Sequence, residues 1–243
     1  MSDKIGNQAN NKYVESISFQ CVNISPKRRE KMTARFSQVG LDVQFPDPPL
    51  LASDFSYRPN VHEQRLASAT ANHIKCIQQF LDSGKKYGIV CEDDVHLIRT
   101  FRQDLDLIIT MFEHYQFDIL LLGHLLPVHT TFHPGYIQKL EYSYSCHQYN
   151  EYYWGAQMYL INRSYGQYLA DRFSYDKLPI LLEQKVIYSP DWIVTKKTNK
   201  RALLLPMMAV EEDPEATQDG VSPHINYHRD CHHTNYNPAH YFP

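Results

Sequence analysis

Three consecutive acidic residues, Glu92, Asp93 and Asp94, interrupt the stretch KKYGIVCEDDVHLI at residues 85–98. Apolar residues flank them on both sides, which predicts that the acids follow directly on the end of a buried strand. Carboxylates crowded at such a place repel one another, and an arrangement of this kind is usually stabilised by a cation. The pattern therefore predicts a site for Mn²⁺ or Mg²⁺, which bind one or two protein carboxylates together with water and substrate phosphates.

The spacing of the acids suggests a division of roles. Alternate residues of an extended chain point to the same side, so Glu92 and Asp94 would act together while Asp93 faces elsewhere. A nucleoside diphosphate is the substrate group that suits such a cation. A solvated surface loop of acids is the alternative interpretation, and the spacing alone does not decide between the two.

The elements around the acids alternate between strand and helix patterns. SISFQCVNI predicts a strand at 16–24, and SPKRREKMTARFSQVG predicts a helix that begins after Ser25 and ends at Gly40. LDVQF predicts a second, short strand at 41–45. Further predicted elements are helices at 61–83 and 101–115, a strand at 117–123, a strand leading into a helix at 154–173, and a strand at 201–210.

This alternation predicts an α/β fold with a central mixed, mostly parallel sheet flanked by helices. We expect residues 1–243 to form a single domain, with a polar leader at 1–13 and an irregular tail from about 211 to 243. In open α/β sheets, ligands bind beyond the carboxyl ends of the strands, which is where the acids at 92–94 fall.

Composition narrows the classes of partner. The net charge of −3 and a pI near 6.5 give no basic surface, so we expect no nucleic-acid partner. No apolar run reaches the roughly 18 to 20 residues that span a bilayer, and the start of the chain lacks the apolar core of a signal peptide. We therefore expect no transmembrane segment and a cytoplasmic protein, while the oligomeric state stays open.

Two segments, CVNISPKRREKM at 21–32 and ATANHIKCIQQFLDSGKKYGIVCEDDVHL at 69–97, resemble glycosyltransferase family 25, which includes lipooligosaccharide and procollagen galactosyltransferases. That family shows a V-x-N-L strand, an Arg-rich first helix, a Ser-His pair and an E-D-D-V stretch after a hydrophobic strand. WGAQMYLINRSYGQYL, DWIV and ATQDGVS are similar to later segments of the family. The resemblance thus runs in the family's order from about Val22 to Ser222.

The chain also departs from the family pattern. RLASA at 65–69 replaces the family's Gly-Glu-x-Gly-Cys stretch, and Asn72 replaces the Ser of the Ser-His pair. Because that loop lies near the donor sugar in this family, the departure leaves the sugar open. The Tyr- and His-rich region from His124 to Tyr153 has no family counterpart and could shape an acceptor site particular to this chain.

The resemblance implies a GT-A fold, a UDP-sugar donor, dependence on Mn²⁺ (or Mg²⁺) and inversion at the anomeric carbon. A hexose, galactose or glucose, would be moved to a glycan or a hydroxylated protein acceptor. The donor nucleotide would be bound by residues that match the family's motifs: Asn23, Arg28, Arg29, His73 and Asp93. The alternative interpretation gives these residues purely structural roles: Arg28 and Arg29 would form a solvated helix face, and His73 would be a hydrogen-bonded core residue.

The remaining site residues follow from the same resemblance. Asp94 would be the main metal ligand, and Glu92 a second ligand or a ribose contact. His224, or failing that His228, would complete the metal's coordination from the C-terminal segment. Asp191 is the expected catalytic base, with Glu151 as its rival.

Two other functions fit the same pattern. A non-catalytic relative would bind a nucleotide-sugar or glycan without turnover, which the missing Gly-Glu-x-Gly-Cys stretch allows. A metal-dependent phosphohydrolase would use the acids to activate water, although the chain has no second cluster of acids and histidines with metal-site spacing early in the sequence.

Overall fold

The computed structural model describes residues 12–23, 25–125, 144–149, 153–184, 186–213 and 224–243. The strands are β1 Ile17–Val22, β2 Tyr87–Glu92, β3 Val95–Leu97, β4 Ile119–Leu125, β5 Ser145–Gln148, β6 Trp154–Asn162, β7 Arg201–Leu205 and β8 Ala209–Glu211. The helices are α1 Pro26–Gln38, α2 Val61–Asp82, α3 Phe101–His114, α4 Arg163–Phe173, α5 Leu178–Glu183 and α6 Ile225–Asn235. Asp191–Thr195 form a π-helical turn.

Six strands form the central sheet in the order β1-β2-β6-β4-β7-β5. β1 pairs parallel to β2, and β4 pairs parallel to β7, while β6 runs antiparallel between β2 and β4. β5 runs antiparallel to β7 at the edge. β1, β2, β4 and β7 therefore share one direction, and the predicted mixed, mostly parallel sheet is confirmed.

Helices cover both faces of this sheet. Val90, Leu121 and Tyr159 pack into one apolar cluster with residues of α2 and α4. Their strand neighbours, among them Ile89 and Leu120, pack into a second cluster with residues of α1 and α3. Because successive side chains of a strand point to opposite faces, continuous apolar strands supply both clusters, as is typical of sheets covered on both sides.

The helix at 61–82 begins and ends where the sequence predicts. The side chain of Asn60 accepts a hydrogen bond from the Glu63 amide at 2.9 Å and so caps the first turn. Gly84 follows the helix with φ at +71°, a conformation that glycine adopts without steric cost. The chain then turns directly into β2.

A small second sheet lies beside the acidic stretch. β3 pairs antiparallel with β8, and Val95 lies opposite Glu211. The C-terminal residues extend this region, since the Phe242 amide donates to the Leu97 carbonyl at 2.9 Å and the Tyr241 hydroxyl donates to the Met207 carbonyl at 2.8 Å. The C-terminal segment is thus anchored near the acids.

Three sequence-based expectations are wrong in detail. The strand predicted at 41–45 is reduced to one isolated bridge between Gln44 and Gln20. The strand predicted at 201–210 is two strands, β7 and β8, because Pro206 has no N–H to continue the hydrogen-bond ladder. The tail predicted to be irregular contains α6, which is held by tertiary contacts rather than by an apolar stripe.

None of the described helices combines the length and apolarity that crossing a membrane requires.

Candidate active site

The three acids lie where the sequence predicts. Glu92 is the last residue of β2, and Asp93 and Asp94 form the turn into β3. The side chain of Glu92 is about one-third exposed, whereas Asp93 and Asp94 are buried. The carboxyl end of β2 therefore holds three carboxylates at the sheet edge where ligands bind in α/β folds.

Asp93 is fixed by two residues from the first strand–helix unit. Its carboxylate accepts hydrogen bonds from Asn23 Nδ2 at 2.5 Å and from Arg28 Nη1 at 2.8 Å. Burial raises the pKa of Asp93, while the Arg28 guanidinium opposes that shift. Since β1 runs parallel to β2, its end brings Asn23 and the first turn of α1 to the acids. Asn23, Arg28 and Asp93 thus form one group.

Asp94 is the acid whose negative charge is least compensated by hydrogen-bond donors and cations. Its Oδ2 lies 3.6 Å from Arg28 Nη1, but its buried Oδ1 has no hydrogen-bond partner among the described residues. Burial, together with the negative charges of Glu211, Glu92 and Asp93, raises the pKa of Asp94 well above its ordinary value. A buried carboxylate oxygen without a donor, among other carboxylates, indicates a place where a cation would be stabilised.

Sequence reasoning missed Glu211, which faces the acidic turn from β8. His228, on α6, places its Nδ1 2.8 Å and 3.0 Å from the two carboxylate oxygens of Glu211. Burial lowers the pKa of His228, but the Glu211 carboxylate outweighs it, so that the pKa is raised overall. The signal was present in AVEED at 209–213, where acids follow an apolar strand as they do after β2.

The two C-terminal histidines lie in different surroundings. His224 is exposed at the start of α6, while His228 is partly buried against Glu211. α6 also docks through His232, whose Nδ1 lies 2.8 Å from the Glu211 carbonyl oxygen. The metal-ligand role predicted for His224 stays a prediction, and His228 contacts the carboxylate of Glu211.

His73 and Arg29 differ in their relation to the acids. His73 is fully buried, with Nδ1 3.0 Å from the Tyr159 hydroxyl and Nε2 3.5 Å from Glu92 Oε1. His73 is therefore a core residue, as the alternative interpretation predicts, and its Nε2 also lies near the carboxylate of Glu92. Arg29 is exposed and its guanidinium lies 4.7 Å from the ring centroid of Phe45.

Asp191 begins the π-helical turn and approaches the acids from another side. Its Oδ1 accepts a hydrogen bond from the Gly155 amide at 2.5 Å. Burial raises the pKa of Asp191, and the negative charge of Glu92 raises it further, while Lys196 opposes the shift. The rival base Glu151 lies outside the described residues.

The described part of the chain contains no group of three or more His, Cys, Asp or Glu side chains arranged to hold a metal ion. Asp94 and Glu92 nevertheless suit Mn²⁺ or Mg²⁺ chemically, because these cations commonly bind only one or two protein carboxylates and take their other ligands from water and substrate phosphates. The unpartnered oxygen of Asp94 is the observation that favours such a site.

Comparison with known proteins defines the class. The model of glycosyltransferase family 25 (LPS biosynthesis protein) matches residues 57–180, just over half of the chain. The chain therefore belongs to glycosyltransferase family 25, as its motifs led us to expect, and is a glycosyltransferase by family. No curated protein matches the chain.

Two solved structures show distant likeness. A197 from STIV is 12% identical, with 80% of this chain and 83% of that one covered and a TM-score of 0.44. A glycosyltransferase involved in the glycosylation of the major capsid of PBCV-1 is also 12% identical, with 88% and 89% covered and a TM-score of 0.39.

Proposed function

We propose that the chain transfers a hexose, galactose or glucose, from a UDP-sugar to a glycan or a hydroxylated protein acceptor, with inversion at the anomeric carbon. Family membership supports a sugar transferase. The observation that carries the donor site is the buried Oδ1 of Asp94, which has no partner among the described residues and lies among the charges of Glu92 and Glu211.

In this proposal, Asp94 and Glu92 hold Mn²⁺ or Mg²⁺. The bound cation supplies positive charge against the diphosphate of the leaving group. His228, or His224 from the start of the same helix, is the candidate for an additional ligand. The protein's own contribution is to bury carboxylates at the strand end, where their negative charge has a high free energy unless a cation compensates it.

Asn23 and Arg28 are assigned to the nucleotide. Both are oriented by hydrogen bonds to Asp93, so the carboxylate acts on the donor by positioning them. The side chain of Arg28 is 30% exposed, and its positive charge is assigned to the phosphates of the donor. His73, whose Nε2 lies 3.5 Å from Glu92 Oε1, and Arg29 keep their predicted roles at the donor site, and Arg29 is the less supported of the two.

Asp191 is assigned as the base. It takes the proton from the acceptor hydroxyl as the hydroxyl oxygen bonds to the anomeric carbon and the bond to UDP breaks. The Gly155 amide holds Oδ1, so Oδ2 is the oxygen that receives the proton. A raised pKa makes this carboxylate a stronger base than a solvated aspartate, which suits general-base catalysis near neutral pH. Glu151 stays the alternative.

The test is release of UDP from UDP-galactose and UDP-glucose, with and without Mn²⁺. We expect metal-dependent release by the unaltered protein, and loss of it in Asp94→Asn. Asp82→Asn, the same chemical change at an exposed residue at the end of α2, should behave as the unaltered protein. Release of inorganic phosphate would favour a phosphohydrolase, and UDP binding without turnover of either donor would favour a non-catalytic relative.

A further inference from the structure

Trp154 is exposed at the carboxyl ends of the parallel strands of the sheet that holds the acids. It begins β6, whose next seven residues are all buried, yet 44% of Trp154 is exposed. β6 runs antiparallel to β2 and β4, and Trp154 lies opposite Leu125 at the end of β4. An indole is thus presented to solvent at the carboxyl ends of the parallel strands, where the candidate site lies.

The backbone beside Trp154 is tied to the candidate base. Gly155 adopts φ +121° and donates its amide hydrogen to Asp191. A Cβ at this glycine would come within 2.6 Å of the Leu125 nitrogen and 2.9 Å of the His124 Cα, so the close approach requires glycine. Trp154 is therefore held one residue from the amide that orients the Asp191 carboxylate.

Lysines surround the indole and its neighbour. Lys196 Nζ lies 3.6 Å from the ring centroid of Trp154 and 5.5 Å from that of Trp192. Lys197 Nζ lies 5.3 Å from the Trp192 ring. A cation over one face of an indole is attracted to the ring and favours the ring orientation that keeps this contact. Trp154 keeps its exposed area with that contact in place.

We propose that Trp154 is a platform on which the ring of an acceptor sugar stacks, an inference that rests on the proposed function. A hexose has an apolar face of C–H groups, whose hydrogens are attracted to the negative face of an aromatic ring. Stacked there, the sugar lies next to Asp191, which would receive the proton of its hydroxyl. Trp154 thereby determines acceptor binding, and the acceptor class is a glycan rather than a peptide hydroxyl.

Saturation-transfer NMR with methyl galactoside, methyl glucoside and methyl mannoside at about millimolar concentrations tests this platform. We expect saturation of the C–H protons on one face of at least one hexoside, and a loss of about tenfold in affinity in Trp154→Ala. Tyr115→Ala is the matched control, because Tyr115 is a 55% exposed aromatic residue that precedes β4, at the opposite end of the strands from Trp154.

Fluorescence locates the contact independently. The chain has two tryptophans, so Trp192→Phe leaves Trp154 as the sole tryptophan emitter. The hexoside that gives the NMR signal should then change the Trp154 emission with the same concentration dependence. Equal saturation in the unaltered protein and Trp154→Ala, or no saturation of any of the three hexosides, would overturn the platform.

UDP binding in the presence of Mn²⁺ separates this inference from the donor site. Trp154→Ala should bind UDP as the unaltered protein does. UDP binding without any hexoside contact would overturn the platform and leave the transferase proposal intact. A Trp154-dependent hexoside contact in a protein that does not bind UDP would support the platform and overturn the donor site.

Discussion

Arg35 provides a quantitative test of how the candidate site is supported. Its side chain is 2% exposed, with Nη1 2.5 Å from Glu212 Oε1 and 2.8 Å from the Val95 carbonyl oxygen. Its Nε donates to the Pro243 carbonyl at 3.0 Å. The Glu212 amide in turn donates to the Asp94 carbonyl at 2.6 Å. Arg35 therefore joins α1, the β3–β8 sheet and the C-terminus directly behind Asp94.

Arg35→Met keeps most of the side-chain volume but removes the charge. The Glu212 side chain, 5% exposed, is then left with Lys31 as its cation, and the two carbonyl groups lose their donor. Breaking a buried ion pair by removing one partner typically costs about 3–5 kcal/mol. We expect the free energy of unfolding to fall by about that amount, and by less in Arg35→Met/Glu212→Gln, where no buried uncompensated charge remains.

The pH dependence of this loss has a definite sign. Burial would raise the pKa of Glu212, but Lys31 and Arg35 outweigh burial and hold the pKa below its ordinary value. Such a group stabilises the fold above its unfolded pKa, and that contribution is lost as the pH falls through the lowered folded pKa. Without Arg35 the pKa of Glu212 rises, so the deficit should be largest near neutral pH and shrink towards about pH 4.

Urea unfolding followed by far-UV circular dichroism measures these differences. Lys31→Met is the matched control, since Lys31 contacts the same oxygen of Glu212 but is 47% exposed, and we expect it to cost less than about 1 kcal/mol. A loss below about 1 kcal/mol in Arg35→Met, or a deficit that does not change with pH, would refute the reasoning.

Three further predictions concern the site. Gly155→Ala should lower the free energy of unfolding by about 2–4 kcal/mol, because φ +121° and the 2.6 Å approach of the new Cβ to the Leu125 nitrogen are both unfavourable; an unchanged melting temperature would contradict this. Tyr159→Phe removes the partner 3.0 Å from His73 Nδ1 and should cost about 1–3 kcal/mol in urea unfolding, while a neutral result would mean that water replaces the hydroxyl. Asp191→Asn should reduce kcat by about 10²–10⁴-fold without weakening UDP binding. Because burial raises the pKa of Asp191, kcat of the unaltered protein should fall on the acid side at a pH above about 3.9, the ordinary pKa of aspartate. Equal kcat values in the variant and the unaltered protein would exclude Asp191 as the base.

The parts of the site that lie close in sequence could be predicted. An apolar run that ends in Glu92, Asp93 and Asp94 predicts carboxylates at a strand end, and that is where the structure places them. The parallel pairing of β1 and β2 then brings Asn23 and Arg28 to Asp93, as expected for strands whose carboxyl ends share one edge.

The parts of the site that depend on long-range strand pairing could not be predicted from the sequence. Glu211 reaches the acids because β8 pairs with β3 across more than a hundred residues, and no local pattern specifies that pairing. α6 carries few apolar residues, and it is positioned by contacts such as His228 and His232 with Glu211. The sequence pattern predicted irregular structure there because tertiary contacts, which outweigh weak local propensity, are invisible to it.

The exposed Trp154 shows a different limit. It begins a strand whose next seven residues are all buried, yet 44% of Trp154 is exposed at the carboxyl ends of the parallel strands. Strand periodicity predicts which residues face the two sides of a sheet. It does not predict at which residue along the strand the neighbouring helices and loops cease to bury the side chains.

The central claim is that a nucleoside diphosphate and a divalent cation bind together at Asp94. Calorimetric titration of UDP with and without Mn²⁺, on the unaltered protein, Asp94→Asn and the control Asp82→Asn, tests it most directly. We predict binding that requires Mn²⁺, persists in Asp82→Asn and disappears in Asp94→Asn. UDP binding that is equally tight without the metal and in Asp94→Asn, or no UDP binding at all, would contradict the account.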